Sequence, residues 1–311
     1  MNEFDVTIAG ETNLDLILYG LEETMPVERE LLASGFRMTL GGSSAILAHN
    51  LAALGTRVGF ITKTGDDTLG EIALTRVREA GVDLSRSLIS KGEQTGVTLL
   101  LPHGATRHIL TYSGTIATLS VADLDVEYLA RGRHFHVSSL FLQTALQAGL
   151  PELCENLRKR GMTVSLDTND DPADQWGEPL ASMLEHVDLL LPNDAEAKRM
   201  ARCDDLSEAV ALLAAKVPVV AVKCGRSGAL VQRGSERWEI PAEDVTPVDT
   251  VGAGDSFNAG FLAGYLGGKS LPTCAAMGNA VAAQSTRFAG GTEAFRTSTA
   301  RELLEKFRFL E

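Results

Sequence analysis

The sequence predicts an α/β fold in which helices cover both faces of a central, mostly parallel sheet. Short apolar runs rich in β-branched residues alternate with longer segments of helical period, and this alternation is typical of such sheets. No repeat, low-complexity linker or proline-rich break divides the 311 residues, so we expect a single domain over 1–311. The predicted strands are 6–9, 58–62, 134–137, 163–166, 187–191 and 219–223, and the predicted helices are 43–54, 69–80, 145–160 and 206–215.

Three stretches in the N-terminal half interrupt this alternation and predict a small additional layer of antiparallel strands. These stretches are 14–19, 36–40 and 96–112, the last being two strands, 96–101 and 107–112, joined by a turn. Pro102 and Gly104 in that turn are typical of hairpin connections. We expect this layer to be a lid that projects from the main sheet and covers a site; edge strands without a gating role are the alternative.

Composition and charge narrow the class of protein. Hydrophobic residues make up 44% of the chain and charged residues 22%, values typical of a globular protein with a full core. The net charge of −13 argues against a nucleic-acid or membrane partner, and an anionic ligand would need a locally positive site. The four cysteines are scattered, no apolar run reaches membrane-spanning length, and the first residues are acidic, so we expect reduced thiols and a cytoplasmic location.

The stretch DTVGAGDSFNAGF, residues 249–261, carries the strongest chemical signal. Gly252, Ala253 and Gly254 stand where an extended segment passes into an apolar helix, and small residues there let an anion approach unpaired backbone N–H groups. Asp255 falls in the first turn of that helix, as either a capping carboxylate or a reagent. A cap needs no run of small residues, whereas a bound phosphoryl group does. The pattern therefore favours a carboxylate that accepts a proton from an attacking hydroxyl.

A second motif, LGGSSAILAHNLAALG over residues 40–55, places Gly41 and Gly42 at the opening of another helix. With the stretch 249–255 it resembles the signatures of the ribokinase-like (PfkB) carbohydrate kinase family, and further matching segments follow in order over essentially the whole chain. The resemblance implies a ribokinase-like three-layer fold with a small β-sheet lid, and ATP-dependent phosphorylation of a sugar hydroxyl. A Walker-type phosphate loop, G-x-x-x-x-G-K-[ST], is absent from the sequence.

The resemblance also implies roles for the residues of both motifs and of the segment GETNLDLIL, residues 10–18. Asp255 is implied to be the catalytic base, and the amides of Gly252, Ala253 and Gly254 are implied to form an anion hole. The implied substrate-binding residues are Asn13, Asp15, Gly41, Gly42, Asp167 and Asp255. The glycine pair is also implied to be the hinge of the lid; a tight strand-to-helix turn is the alternative.

Further segments resemble the nucleotide and metal sites of the family. The implied ATP-binding residues are Asn193, Lys223, Gly225, Gly228, Gly252, Gly254 and Asn279. Asn193 and Glu196, in an N-x-x-E pattern, are implied to place Mg²⁺ largely through water; a plain helix start capped by Asn193 is the alternative. Lys223 departs from the threonine or similar residue that most relatives carry, and the small residues around Asn279 also suit a tight helix contact. The implied K⁺ ligands are Asp249, Val251 and carbonyl groups of the 286–292 loop.

Two departures from the family pattern narrow the substrate. Ser43 follows the glycine pair where phosphosugar kinases often carry lysine, which favours an unphosphorylated sugar, and Ile46 stands where many sugar kinases have asparagine. A nucleoside kinase of the same fold is the nearest alternative, although aromatic residues make up only 5% of the chain. A catalytically inert sugar-binding sensor is a third interpretation, and residues 10–13 do not match the G-x-G-x-x-G of a dehydrogenase. In relatives the lid also forms a dimer interface, so a homodimer is a further expectation.

Overall fold

The computed structural model describes residues 2–103 and 106–296, and its centre is an eight-stranded sheet. The strands are β1 (Val6–Ala9), β2 (Asn13–Tyr19), β3 (Gly35–Gly41), β4 (Val58–Ile61), β5 (Lys63–Gly65), β6 (Leu88–Ser90), β7 (Gly96–His103), β8 (Thr106–Tyr112), β9 (His134–Ser138), β10 (Thr163–Asp167), β11 (Leu189–Leu190), β12 (Val219–Lys223), β13 (Ala229–Arg233) and β14 (Glu236–Ile240). The helices are α1 (Ser43–Ala53), α2 (Thr68–Glu79), α3 (Val126–Leu129), α4 (Thr144–Gln147), α5 (Leu150–Lys159), α6 (Leu180–Leu184), α7 (Asp194–Ala201), α8 (Leu206–Ala214), α9 (Ala253–Leu266) and α10 (Leu271–Ser285).

The order of strands in the main sheet is β14-β13-β12-β11-β10-β9-β1-β4. The strands from β12 to β4 run parallel, β13 is antiparallel to β12, and β13 with β14 forms a hairpin at the edge. This topology confirms the predicted α/β fold with a mostly parallel sheet. All of the predicted main-sheet strands belong to it, although β11 keeps only Leu189–Leu190 of the predicted 187–191.

Alternation along the central strands divides the core into two halves, one on each face of the sheet. Val6 and Ile8 of β1 belong to the half that contains residues of α1, α9 and α10. Phe135 and Val137 of β9 belong to the other half, which contains residues of α5. Helices therefore cover both faces of the sheet, and the molecule has three layers.

A separate four-stranded sheet, which we call the small sheet, has the order β3-β2-β7-β8 and contains every stretch that was predicted to form the additional layer. β2 pairs antiparallel with β3, as does β7 with β8, but β2 and β7 are parallel. The prediction of an entirely antiparallel layer is therefore wrong at that pair, because the chain passes through α1 and α2 between β3 and β7 and returns in the direction of β2. Residues 104–105 of the predicted turn lie outside the described residues.

β5 and β6 form a two-stranded parallel sheet that the sequence analysis did not predict, because each strand has only three residues. Over residues 2–103 and 106–296, no helix combines the length and the apolar character needed to cross a membrane.

Candidate active site

The predicted site residues converge where the carboxyl ends of the parallel strands meet the small sheet, which is the usual place for ligands in α/β proteins. Residues 10–13 follow β1, Asp167 ends β10 and Lys223 ends β12. Lys223 Nζ lies 2.5 Å from Asp167 Oδ2, and both charges are close enough to Asp255 to shift the pKa of its carboxyl. Asp255 in turn shifts the pKa of Asp15. The predicted sugar-binding and catalytic carboxyl groups thus lie in one region.

Residues 252–254, which we call the glycine loop, form the N-terminus of α9. Gly252 is in the left-handed region with φ of 70°, and a Cβ there would lie 2.5 Å from the Cα of Gly291, so the fold requires glycine. At Gly254 the nearest atoms to such a Cβ belong to Lys223, at an ordinary 3.7 Å. Gly252 offers no capping side chain to the first amides of the helix, and Lys223 adds a positive charge beside them. This helix N-terminus therefore has the composition of an anion site.

Asp255 lies in the first turn of α9, directly after the glycine loop. Burial raises the pKa of this carboxyl from its ordinary 3.8 to about 7, and the carboxylate of Asp167 adds to the rise. Lys223 and a hydrogen bond from Ser43 act in the opposite direction. A buried carboxyl that titrates near neutrality is well matched to accepting a proton from a hydroxyl group.

Asp167, Lys223 and Asn258 form a buried polar group beside Asp255. Asp167 Oδ2 accepts hydrogen bonds from Lys223 Nζ and from Asn258 Nδ2, each at 2.5 Å. Burial lowers the pKa of Lys223, but the carboxylates of Asp167 and Glu196 outweigh it and hold that pKa above its ordinary value. One oxygen of Asp167, a predicted sugar ligand, is thus engaged by two protein donors. The sequence analysis missed Asn258, although its position three residues after Asp255 places both on one face of α9.

Asn13 and Asp15 stand on β2, where the small sheet meets the main sheet. Asn13 Nδ2 donates to Thr98 Oγ1 of β7 at 3.0 Å and to Asp15 Oδ1 at 3.3 Å. Burial and the charge of Asp255 raise the pKa of Asp15 to about 8, against the lowering effect of Asn13. A Cβ at Gly41 would lie 2.1 Å from Asp15 Oδ1. Glycine at position 41 therefore makes room for the Asp15 carboxyl.

Gly42 and Ile46 lie at the start of α1, between the two motifs. Gly42 has φ of 83°, and a Cβ there would lie 2.8 Å from Asn13 Oδ1, so backbone conformation and space both require glycine. Ile46 is buried. A Cβ added to Gly291 would lie 3.1 Å from Ile46 Cδ1, and a Cβ added to Gly252 would lie 3.5 Å from it. The residue that replaces the family asparagine thus packs against the two glycine segments.

A second set of polar residues, which the sequence analysis did not name as ligands, surrounds the start of α1. The Glu11 carboxylate accepts hydrogen bonds from Ser44 N at 3.1 Å and Ser44 Oγ at 2.6 Å, and burial raises its pKa. Asn169 Nδ2 donates to Ser43 Oγ and, at 3.1 Å, to Ser139 Oγ. Glu11 and Asn169 each follow the carboxyl end of a parallel strand by two residues, and that position was the available signal.

Asn193 and Glu196 form a reciprocal cap at the N-terminus of α7. Glu196 N donates to Asn193 Oδ1 at 2.9 Å, and Asn193 donates through N at 2.8 Å and Nδ2 at 2.6 Å to the Glu196 carboxylate. This geometry agrees with the helix-cap interpretation. Burial and the charge of Asp167 raise the pKa of Glu196 to about 7, so the pair lies within electrostatic reach of the glycine loop region. In the part of the chain that the structure describes, no group of three or more His, Cys, Asp or Glu side chains could hold a metal.

Two of the predicted nucleotide residues meet at the end of β14. Gly228 has φ of 93°, and a Cβ there would lie 2.0 Å from the carbonyl oxygen of Ile240. Asn279 Nδ2 donates to the carbonyl groups of Ile240 at 3.1 Å and Pro241 at 2.9 Å. Gly225 has φ of 55° and open space where a Cβ would stand. Gly228 and Asn279 therefore have protein contacts of their own, whereas the Gly225 backbone is accessible.

Asp249 joins three segments at the edge of the glycine loop. Its Oδ1 accepts a hydrogen bond from Val251 N at 3.0 Å, and its Oδ2 accepts from Gly290 N at 3.1 Å and from the Tyr19 hydroxyl at 3.4 Å. Both oxygens of the predicted K⁺ ligand thus have partners in the protein. The carboxylate fixes the 286–292 loop and the small sheet to the start of the glycine loop.

Asn50, which the sequence analysis did not single out, ties α1 to the same region. Its Nδ2 donates to Ser256 Oγ at 3.1 Å and to the carbonyl oxygen of Gly291 at 3.0 Å. Asn50 is fully buried, so losing these partners would leave its Nδ2 donors without hydrogen bonds in the core. The glycine loop is therefore braced by α1 and the 286–292 loop together.

The chain resembles known proteins in sequence and in fold. A sequence model described as pfkB family carbohydrate kinase matches residues 4–297. The chain is 30% identical over 292 residues to 2-dehydro-3-deoxygluconokinase of Bacillus subtilis, with 88% of each sequence covered. It is 31% identical over 265 residues to an ATP-dependent ribose-1-phosphate kinase of Halopiger xanaduensis, with 84% of each covered.

A solved structure of similar fold is the putative ribokinase II of E. coli in complex with ATP and Mg²⁺. The two superpose with a TM-score of 0.84 at 23% identity, covering 98% of this chain and 99% of the other. This match confirms the predicted ribokinase-like fold with its separate small sheet. The family match supports a phosphotransferase with an alcohol group as acceptor. The chain belongs to the pfkB family of carbohydrate kinases.

Proposed function

We propose that this protein transfers the γ-phosphoryl group of ATP to a hydroxyl group of an unphosphorylated sugar. The observation that carries the proposal is the position of Asp255, a carboxyl with a pKa of about 7 that directly follows the glycine loop and lies within electrostatic reach of Asp15. A proton acceptor, an anion site and ligands for a polyol are the parts that phosphoryl transfer to a sugar needs.

Asp255 acts as the general base in this mechanism. Its carboxylate takes the proton of the attacking hydroxyl while the hydroxyl oxygen forms a bond to the γ-phosphorus and the bond to the bridging oxygen of ADP breaks. The amides of Gly252, Ala253 and Gly254 and the ammonium group of Lys223 stabilise the negative charge that develops. The proton then passes from Asp255 to water, and the sugar phosphate and ADP leave.

Lys223 distinguishes this anion site from that of most relatives, which carry threonine or a similar residue at this position. Its ammonium group is held beside the glycine loop by Asp167, whose Oδ2 lies 2.5 Å from Nζ. Because the group is buried, its electrostatic interaction with an anion is stronger than it would be in water. We assign to Asp167 the role of positioning Lys223, because its Oδ2 is occupied by Lys223 and Asn258. The role of Asp167 as a sugar ligand stays a prediction.

The nucleotide and its metal are proposed to bind in the same region. The E. coli structure contains ATP and Mg²⁺, and we propose both as the cofactors here. Gly225, Gly228 and Asn279 would border the nucleotide. Each oxygen of Glu196 accepts one hydrogen bond within the cap and keeps a second lone pair, so the pair Asn193–Glu196 fits a hydrated Mg²⁺ bound through its waters.

The class of sugar follows from the ligands at the small sheet. Asn13 and Asp15 offer an amide and a carboxyl, which suit adjacent hydroxyl groups. Ser43, which hydrogen bonds Asp255, stands where phosphosugar kinases carry lysine, so the pocket lacks that cation. We therefore propose a neutral sugar or a sugar acid with a free hydroxyl, with Gly41 and Gly42 as further contacts.

A phosphoryl-transfer screen tests the proposal. Purified protein with Mg·ATP would be assayed for ADP formation over free sugars, sugar acids, sugar phosphates and nucleosides, with Asp255→Asn as the inactive control and Asp204→Asn as an exposed matched control. We expect turnover with a free sugar or sugar acid. Turnover confined to sugar phosphates or to nucleosides would overturn the substrate class, and full activity of Asp255→Asn would overturn the mechanism.

We also propose activation by K⁺, homodimer formation and a cytoplasmic location. The K⁺ site would use Asp249 and carbonyl groups at Val251 and in the 286–292 loop; equal rates in K⁺ and in tetramethylammonium would rule it out.

The small sheet exposes Phe36, Leu110 and Tyr112 by 54%, 51% and 52%, which suits an interface with a second copy. Light scattering measures the mass in solution, and a monomer at all concentrations would contradict the dimer.

A further inference from the structure

A cavity of about 390 Å³ lies between the small sheet, the helix α2 and the 286–292 loop. It is distinct from the glycine loop, Asp255 and the sugar residues, none of which lines it. Arg37 of β3, Arg76 of α2 and Arg287 of the loop all line it, together with a single acidic residue, Glu293. Three elements that are far apart in the sequence each contribute an arginine to the lining of the same cavity.

The charges of this cavity are poorly compensated by the protein. Glu293 Oε2 already pairs with Arg296 Nη1 at 3.3 Å, and its Oε1 lies 3.9 Å from Arg76 Nη1. Among residues 2–103 and 106–296, neither Arg37 nor Arg287 has a carboxylate within ion-pair distance. A local excess of positive charge in a chain of net charge −13 is the pattern expected of a built anion site.

Arg76 adds evidence from hydrogen bonding. Its Nη2 donates to the carbonyl oxygen of Met38 at 3.1 Å, which fixes the guanidinium group against β3. Its Nη1 is buried without a hydrogen-bond partner in the described part of the chain. Because Nη1 is buried, an anion in the cavity would act on this guanidinium group through its charge and not through a hydrogen bond to Nη1.

We propose that this cavity binds a small organic phosphate. Guanidinium groups recognise phosphate through paired hydrogen bonds, and a phosphate dianion can engage more than one of them, whereas a single carboxylate is satisfied by one. The volume lies within the range of small-molecule sites and exceeds the needs of inorganic phosphate alone. Val248 and Phe288 form an apolar part of the cavity wall, which suits the organic part of the ligand.

The position of the cavity gives this ligand a consequence for the active region. Arg37 and Thr39 belong to the small sheet, and a Cβ at Gly290 would lie 2.5 Å from Thr39 Oγ1, so β3 and the 286–292 loop touch there. The same loop supplies Gly290 to Asp249 and Gly291 to Asn50. A bound phosphate would therefore contact both the small sheet and the 286–292 loop, which holds the glycine loop in place.

Calorimetric titration tests the binding without relying on the proposed reaction. The probes are inorganic phosphate, glycerol 3-phosphate and glucose 6-phosphate, with glucose as the uncharged control. The variants are Arg76→Gln and Arg287→Gln, with Arg78→Gln as the matched control, because Arg78 is exposed on the same helix and does not line the cavity. Arg287 is exposed on a loop, so its variant reports on binding even where Arg76→Gln fails to fold.

We expect an organic phosphate to bind the wild type and Arg78→Gln equally, and to bind Arg287→Gln and Arg76→Gln at least about 10-fold more weakly. Affinity that is unchanged in Arg287→Gln would place the phosphate elsewhere, for example at the glycine loop, and would overturn the proposal. Binding of glucose as tightly as glucose 6-phosphate, or no binding of any of the three phosphates, would overturn it as well.

Discussion

Three carboxyl groups in the active region have pKa values near neutral pH because of their surroundings. Burial is the largest cause in each case and raises the pKa of Asp255 to about 7, of Glu196 to about 7 and of Asp15 to about 8. Lys223 is the cation among them, and its ion pair is with Asp167. The site is therefore an acidic region whose charge state depends on pH within the physiological range.

Asp255 should impose its own pKa on the reaction. Because only the carboxylate accepts a proton, we expect kcat/KM to rise with pH through about 7 and to level above it. Asp255→Asn should lower kcat by about 10²-fold or more and remove this dependence. Steady-state rates between about pH 5.5 and 9 measure both, with Asp204→Asn as the control. A near-wild-type kcat in Asp255→Asn at saturating substrate would refute the assignment.

Asp15 should make the protein less stable as pH rises. Its pKa in the folded state is raised to about 8, so the stability that it contributes is fully present below its unfolded pKa and is lost as pH rises through about 8. Asp15→Asn cannot ionise, so at about pH 9 it should melt above the wild type by about 2–4 °C or more, with a smaller difference near pH 5. Calorimetric melting at both pH values checks this. A wild type that melts higher at pH 9 would contradict it, while weaker sugar binding is expected in the variant.

Site residues could be predicted from the sequence where the signal is local. Gly252 and Gly42 were named because small residues at the start of a helix let a ligand approach the backbone, and the structure adds that both have a positive φ. Asn258 and Glu11 were missed because their partners, Asp167 and Ser44, lie 91 and 33 residues away in the chain, and spacing carries no information on such pairs. The ion pair that engages Asp167 is hidden for the same reason.

At the scale of elements, the strands of the small sheet were predictable from the sequence, but their relative directions were not. The small sheet contains the predicted stretches, yet β2 and β7 are parallel. A period of two residues is the same in parallel and antiparallel strands, so apolar alternation cannot distinguish them. The main sheet was easier, because helical segments between its strands impose parallel crossovers.

The glycine at the end of β3 should be needed for sugar binding. Gly41→Ala puts a Cβ 2.1 Å from Asp15 Oδ1 and must displace that carboxyl, so we expect KM for the sugar to rise about 10-fold or more with little change in KM for ATP. Gly35→Ala is the matched control on the same strand, because its Cβ meets Tyr19 at an ordinary 3.5 Å. Equal sugar KM values in the two variants would show that the Asp15 carboxyl does not bind sugar.

At the scale of the whole molecule, the small sheet touches the catalytic segment directly. Ile17 and Leu100 pack with Val251 in a separate apolar cluster, and Arg107 Nη1 donates to Thr250 Oγ1 at 3.2 Å. Any movement of this sheet must therefore break or remake contacts with residues beside the glycine loop. That link was not predictable, because it joins residues more than 140 positions apart, as in the 143 between Arg107 and Thr250.

Sugar binding should close the small sheet over the site, with Gly41 and Gly42 as the hinge. Closure keeps water from the γ-phosphate, which would otherwise be hydrolysed. We expect segments 14–19, 36–40, 96–103 and 106–112 to exchange backbone amide hydrogens more slowly with sugar present, while the β13–β14 hairpin at the far edge of the main sheet is unchanged. Unaltered exchange in all of these segments at saturating sugar would make the sheet a static wall.

The bracing of the glycine loop by distant residues has a consequence for how the protein is made. Asn50 reaches Ser256 and Gly291 across 206 and 241 positions, and Tyr19 reaches Asp249 across 230. A ribosome releases the N-terminal strands long before these partners exist, and contacts of such long range form only when both ends of the chain are present. The glycine loop therefore cannot acquire its full set of contacts until residue 291 has been synthesised.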